Sequence, residues 1–246
     1  MDKLIYTAMT GAKGTMGQQA AVANNLANVS TTGFRAELHR LRAVPVRSEA
    51  LPSRAFVVDA TVGTDFTPGP LAYTGRTLDV AVNGQGWLAI TMPNGSEAYT
   101  RSGSLVADEN GVLRTQLGFE VAGDAGPIAL PPDNVIEIGG DGSISAIPTD
   151  GNRNAANVVG RLKLVNPPVE NLIRGEDGLF RLPAGQVAPA DENVRVSGGH
   201  VEGSNVNMVE QMVTMISLTR NYETQMQMLQ RAQENDRAAT KVISVS

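Results

Sequence analysis

The residues able to do chemistry are few. His39 and His200 are the only histidines, and there is no cysteine. A zinc site needs His or Cys at short, fixed spacings, and neither histidine has such a neighbour. Without thiols there are no disulfides, thiolate nucleophiles or Cys-ligated metals. Asp108, Asp124, Asp133, Asp141 and Asp150 fall in or beside turn signals. Two such acids facing a sugar would suit glycoside hydrolysis. Turn geometry explains them without catalysis, because Asp and Asn bond their own backbone. No calcium loop, nucleophile elbow, phosphate loop or dinucleotide fingerprint is present. The sequence therefore assigns no catalytic residue, no metal ligand and no cofactor. Arg35 to Arg54 holds five arginines and two glutamates. Such a run reads either as a solvated linker or as a basic strip facing an acidic neighbour.

A different pattern stands in "ANNLANVSTTGFR", residues 23–35. Asparagine is a mediocre helix former, since its side chain competes for backbone hydrogen bonds. Yet Asn24, Asn25 and Asn28 surround Leu26 at the end of a helical pattern. Asn28 to Gly33 reads as a helix stop and turn, with Gly33 free to take a positive φ. Asn24 and Asn25 precede that stop. Buried between helices, their amides must pair, and pairing fixes register.

The elements that position these residues have three textures. Ile5, Met9, Ala12, Met16, Gln19, Ala23 and Leu26 follow alternating four-three spacing, the seam of a coiled-coil-like helix. Gly11, Gly14 and Gly17 lie in the same helix, each costing about 1 kcal/mol against Ala. Alone such a helix is marginal, but small residues let a partner approach closely. Near the other end, Asn207 followed by Glu210 resembles a capping box. Met208, Met212, Met215, Thr219, Tyr222, Met226, Leu229 and Gln233 repeat the seam spacing. Methionines suit contacts that differ between neighbours. The two stripes either pair within one chain or join different subunits.

Between them the chain reads as β. "TLDVAVNGQGWLAITM" alternates at Leu78, Val80 and Val82, turns at Asn83-Gly84 and resumes at Trp87, a hairpin signal. "NVVGRLKLV" (157–165) is a further strand. The 26 glycines and 13 prolines predict many turns, as in a sandwich or irregular barrel. The expected fold is α+β, mainly β, and discontinuous. Its terminal helices form an axial core at 1–34 and 203–246, and its β-rich domain spans 35–202. The net charge of −5 argues against a nucleic-acid partner. Aromatics at 4% leave little for a ring-lined ligand pocket. No apolar run is long enough to span a membrane, and the N-terminus lacks the unbroken apolar core of a secretory signal.

Taken in order, five stretches resemble the bacterial flagellar rod and hook protein family. "ANNLANVSTTGF" is similar to its N-terminal signature, and "EGSNVNMVEQMVTMISLTRNYE" (202–223) to its C-terminal one. "TGRTLDVAVNGQGWLAI" (74–90), "AYTRSGSLVADENGVLRTQLGFEV" (98–121) and "GPIALPP" (126–132) resemble its β-domain. Trp87, Leu88 and Leu105 stand where that family commonly has phenylalanine, and all three stay apolar. The start of the chain is most similar to proximal-rod members, with distal-rod members as the rival. The resemblance implies a structural subunit of the basal-body rod, the drive shaft crossing the periplasm. It implies export through the flagellar type III apparatus without a cleaved signal. It implies a helical assembly with copies of itself and other rod proteins. The subunit-packing residues expected on this view are Asn24, Asn25, Leu26, Asn28, Gly33, Phe34, Met208, Met212, Met215, Tyr222, Met226 and Leu229. A periplasmic adaptor and a wall hydrolase are the competing readings.

Overall fold

The computed structural model describes residues 2–45, 55–148 and 157–244. Arg47, Arg54 and the turn signal at Asp150 lie outside the described residues. Two compact units emerge, and the chain passes repeatedly between them. One comprises Met1–Val29, Ala36–Asp65 and Val206–Ser246; the other comprises Ser30–Arg35 and Phe66–Asn205.

The first unit holds both helices and one hairpin. Helix α1 (Asp2–Ala27) ends where the asparagines cluster. Helix α2 (Met208–Ser244) starts at the expected cap. The Asn207 Oδ1 accepts from the backbone N–H groups of Val209 (3.1 Å) and Glu210 (3.3 Å). Two donors that every helix start leaves unpaired are thereby satisfied. The hairpin pairs β1 (Glu37–Pro45) with β2 (Ala55–Thr64), antiparallel, with one register shift at Arg40/Leu41. The segment expected at 35–202 thus divides, because its first strands group with the helices.

The helices pair antiparallel through small and polar groups. Gln211 of α2 meets Asn25, Thr219 meets Gln19, and Gln225 meets Thr15. A Cβ on Gly11 would lie 3.3 Å from the Gln225 amide, and one on Gly17 would lie 2.7 Å from the His39 ring. These glycines therefore trade helix propensity for close approach of α2 and of β1.

The second unit is all β apart from short helical turns. Its strands are β3 (Leu71–Tyr73), β4 (Val80–Asn83), β5 (Trp87–Thr91), β6 (Glu97–Thr100), β7 (Leu105–Ala107), β8 (Leu113–Thr115), β9 (Glu120–Gly123) and β10 (Gly126–Pro127). Next come β11 (Asn134–Ile138), β12 (Ser143–Pro148), β13 (Asn157–Arg161), β14 (Leu164–Val165), β15 (Ile173–Arg174), β16 (Phe180–Arg181), β17 (Arg195–Gly198) and β18 (His200–Glu202). The main sheet runs β15-β16-β6-β5-β9-β8-β7, with β10 on β9 and β14 on β5. Strands β11-β12-β13 form a second sheet, and two ribbons pair β4 with β17 and β3 with β18.

The central strand β5 is buried on both faces. Leu88 joins the larger core with Val80, Leu105, Leu113, Ile144 and Val196. Trp87 and Ala89 point the other way, to Tyr99, Val165 and Phe180. Alternation across the pleat produces this split. The expected Asn83-Gly84 turn is present, with Gly84 at φ 71°. The hairpin expected around it is not, because β4 pairs with β17 and β5 pairs with β6, β9 and β14. Gly86 (φ 126°) is packed against Val194, so the chain turns away from β4 instead of folding back along it. The stretch 157–165 also divides, into β13 and β14 in different sheets.

Candidate assembly site

Asn25 is buried, and its amide works inside the chain. Its Oδ1 accepts from the Glu37 N–H at 2.7 Å, while its Nδ2 donates to the Glu37 carbonyl at 2.9 Å. It thus imitates a strand neighbour and seats β1 against α1. The same Nδ2 lies 3.4 Å from the Gln211 Oε1 of α2. Asn24 is exposed; its amide donates to the Glu37 carboxylate at 2.8 Å and accepts from Asn28 Nδ2 at 2.7 Å. Asn28 also donates to the Asn24 carbonyl, capping the last turn. Leu26 is half-buried. The asparagine cluster therefore ties together one end of α1, the start of β1 and the first turn of α2.

The apolar side chains of these helices do the reverse of what a closed pair requires. Along α1 the buried residues include Ala12, Thr15, Ala21, Val22 and Asn25, whereas Tyr6, Met9 and Met16 are more than half exposed. Along α2 the expected seam divides. Met215, Tyr222 and Leu229 are half-buried, but Met208, Met212 and Met226 are exposed. Val209 (69% exposed), Val213 (62%) and Ile216 (56%) stand with Met212 at helical spacing. Such a stripe is an exposed apolar face among the described residues.

Gly33 and Phe34, the remaining expected packing residues, belong to the β unit. Gly33 has φ 69° and donates to the Glu202 carbonyl at 2.7 Å. A side chain there would overlap the backbone at Arg101 and Ser102. Phe34 is buried, with the Arg174 guanidinium 4.6 Å above its ring. The adjoining Arg35 is not a solvated linker residue. Its side chain is fully buried, with Nη2 2.6 Å from Glu202 Oε1. The angle makes this an ion contact and not an aligned hydrogen bond. Glu202 Oε2 accepts from Arg101 Nη1 at 2.9 Å, and Oε1 accepts from Gly69 N at 2.9 Å. Arg101 also donates to the carbonyls of Val82 and Gly84, and its guanidinium lies 5.3 Å from the Trp87 ring centre. Burial pulls the Arg101 pKa below its usual value, and Glu202 pushes it back. Sequence reasoning missed Arg101 and Glu202. The signal available was a charge within two positions of a glycine inside each quoted stretch: "GFR", "RSG" and "EG".

The turn aspartates behave as turns. Asp108 Oδ1 accepts from the Asn110 and Val112 N–H groups, and Oδ2 accepts from Arg114. The Arg114 bond holds the Asp108 carboxyl below the usual range. Asp124 and Asp141 line one cleft of about 100 Å³ with Asp191, Glu192 and Arg161. The Ser143 hydroxyl and N–H hold the Asp141 pKa down. A glycosidase acid needs the opposite shift. His39 and His200 lie in different units. Among the described residues no group of three His, Cys, Asp or Glu could hold a metal ion.

Comparison with known proteins gives this arrangement a lineage. Three family models match: "Flagella basal body rod protein" at residues 5–35, "Flagellar hook protein FlgE/F/G D1 domain" at 81–146, and "Flagellar basal body rod FlgEFG protein C-terminal" at 197–242. The flagellar basal-body rod protein FlgF of Escherichia coli is 48% identical over 100% of both chains. The chain belongs to the flagellar basal-body rod protein family. The FlgF of Salmonella typhimurium is 45% identical, again over 100% of both chains. A FlgG rod protein of Buchnera aphidicola is 32% identical, over 89% of this chain and 91% of its own. As a rod protein the chain is a structural subunit of the flagellar basal body. The N-terminal match ends at Arg35 and the C-terminal match includes Glu202, so each contributes one member of the buried ion pair.

Proposed function

We propose that the chain is a proximal-rod subunit that polymerises through its two terminal helices, with itself and with other rod proteins, into the shaft crossing the periplasm. The observation that carries this is the exposed Val209, Met212, Val213 and Ile216 face on a helix pair whose own contacts are small and polar. Burying that face needs a neighbour. Met208, Met226, Tyr6, Met9 and Met16 extend the same use of exposed apolar side chains. Met215, Tyr222 and Leu229 are half-buried and shared between holding the pair and meeting a neighbour. Asn24, Asn25, Leu26 and Asn28 act through position, by setting where α2 starts against α1. Gly33 and Phe34 act by fixing the turn that leads into the β unit.

Proximal placement is supported by full-length alignment with the FlgF relatives. In one Buchnera aphidicola strain the FlgF and FlgG proteins are equally similar, at 32%, but the FlgF aligns over 100% of this chain and the FlgG over 89%. Delivery is through the flagellar type III apparatus, and the part played is mechanical, without catalysis and without nucleic acid. The Met-rich stripe, the lack of a catalytic motif in the sequence and the sequence pI of about 5.1 support the mechanical part of this reading.

The test is Met212→Asp with Ile216→Asp in the full chain. An unpaired carboxylate buried at a contact costs more than about 1.4 kcal/mol, so assembled rods should fall by roughly tenfold or more. Electron microscopy of isolated basal bodies and swimming assays read this out. The purified double variant should keep the parent's thermal unfolding. Normal rods from it would remove the helix face as the interface.

A further inference from the structure

Two arginines and one glutamate, all buried, leave an imbalance of charge, and Glu202 is the one carboxylate paired with both arginines among the described residues. Arg35 and Arg101 reach it from segments 66 positions apart, and Glu202 lies a further 101 along. Removing either partner of a buried pair is costly because the other charge stays behind. Here the loss of Glu202 is worse, because two like charges stay behind. Arg35 has little else to turn to, since its Nε and Nη1 have no hydrogen-bond partner among the described residues. Arg101 has two carbonyls besides. Proximity of Arg35 also pulls the Arg101 pKa down, the mark of repulsion between them. The same residue holds the backbone. The Glu202 carbonyl accepts from Gly33, its carboxylate accepts from Gly69, and the next residue, Gly203, donates to Pro70 at 2.8 Å.

We propose that Glu202 is the closure lock of the β unit: its carboxylate is what allows Arg35 and Arg101 to be buried together, so the unit completes only once residues 200–204 are in place. A chain delivered in order from its N-terminus then holds residues 30–35 and 69–73 open until nearly all of the unit has arrived. The inference stands apart from the assembly reading, because it concerns folding of a single chain.

The test uses the full chain and three variants. Glu202→Gln keeps the shape and removes the charge; its urea midpoint should fall by roughly 1 M or more. Arg35→Gln alone should fall by less, because Glu202 keeps Arg101. The double variant Arg35→Gln with Glu202→Gln should recover at least half of the lost midpoint, which loss of a contact alone would not produce. If Glu202→Gln fails to fold, the double variant still decides, since a folded double variant supports the lock and an unfolded one overturns it. A parental midpoint in Glu202→Gln overturns it as well. Order is read by pulsed hydrogen exchange during refolding of the parent. Residues 30–35 and 69–73 should gain protection together with 200–204; protection gained earlier would overturn the sequence of closure.

Discussion

The helix unit and the β unit differ in where they put their large apolar side chains. In the β unit the apolar residues are inside, from Val80 and Leu88 through Leu105 to Val196, and the buried charges are paired at Glu202. In the helix unit Thr15 and Asn25 share the inside with the small apolar Ala12, Ala21 and Val22, while Met9, Met16, Val209 and Ile216 face out. A protein that were only a folded domain would have no use for the second arrangement. The difference fits the proposal that one unit completes itself and the other is completed by neighbours. The glycines make the same point. Gly33 and Gly103 of the β unit sit against backbone, whereas Gly11 and Gly17 of α1 sit against side chains.

Alanine at those glycines should therefore separate the units most sharply. A Cβ on Gly103 would overlap the Val80 carbonyl and crowd its side chain. Gly103→Ala should cost about 4 kcal/mol or more, enough to unfold the β unit at ambient temperature. Gly11→Ala meets only the end of Gln225. It should cost nothing in the helix unit, or stabilise it by up to about 1 kcal/mol through helix propensity. Circular dichroism melts of the two full-length variants check both. Equal losses would mean that the α1 seam is as rigid as the β core.

Much of this contrast was legible in the sequence, and particular residues show where legibility stopped. The Asn207 cap and the Gly33 turn depend on neighbours within a few positions, and both are present as expected. Resemblance to the rod family was carried by short stretches that now prove to meet, at Gly33, Arg101 and Glu202. The missing parts were long-range. Alternation around Asn83-Gly84 says that strands flank a turn, but not that β4 leaves for β17, more than a hundred residues on. A four-three stripe gives a helix a face without saying whether the partner is in the same chain. In the structure small residues line the contact between the helices, and Met208, Met212 and Met226 are exposed. Arg35 was hidden for the same reason: its counter-charge lies 167 positions away.

Asn25 tests the hinge of the comparison, being a buried polar residue in the unit whose apolar residues are exposed. Asn25→Ala removes both bonds to the Glu37 backbone and leaves that N–H and carbonyl without them. The expected loss is about 1–3 kcal/mol in the helix unit, with the β unit unchanged. Hydrogen exchange by mass spectrometry should show β1 losing protection while β5 and β9 keep theirs. Asn24→Ala removes exposed bonds only, to the Glu37 carboxylate and Asn28. It should stay within about 0.5 kcal/mol of the parent. If both variants behave alike, the amide of Asn25 is not what seats β1.

The remaining expected effects are in pH, and they fall on the β unit. Tyr99 is fully buried, and burial pushes its phenol up to about 12. Its unfolded value is about 10. The folded pKa is the higher one, so the stability tied to the neutral phenol is complete below about pH 10 and is lost as pH rises through about 12. On the acid side the sign reverses. Arg114 holds Asp108 low and Arg181 holds Asp177 low. Their contribution is present above the unfolded carboxylate value of about 4 and fades as pH falls below it. Both pairs are partly exposed, so the acid effect is slight and shrinks in salt. Urea midpoints of the full chain across pH should show a shallow acid slope and a steeper alkaline one. Tyr99→Phe should remove the alkaline slope and lower the plateau, since the Ala188 N–H loses its acceptor. An alkaline slope that survives Tyr99→Phe would place the titrating group elsewhere, and the β core would then owe nothing to that phenol's protonation.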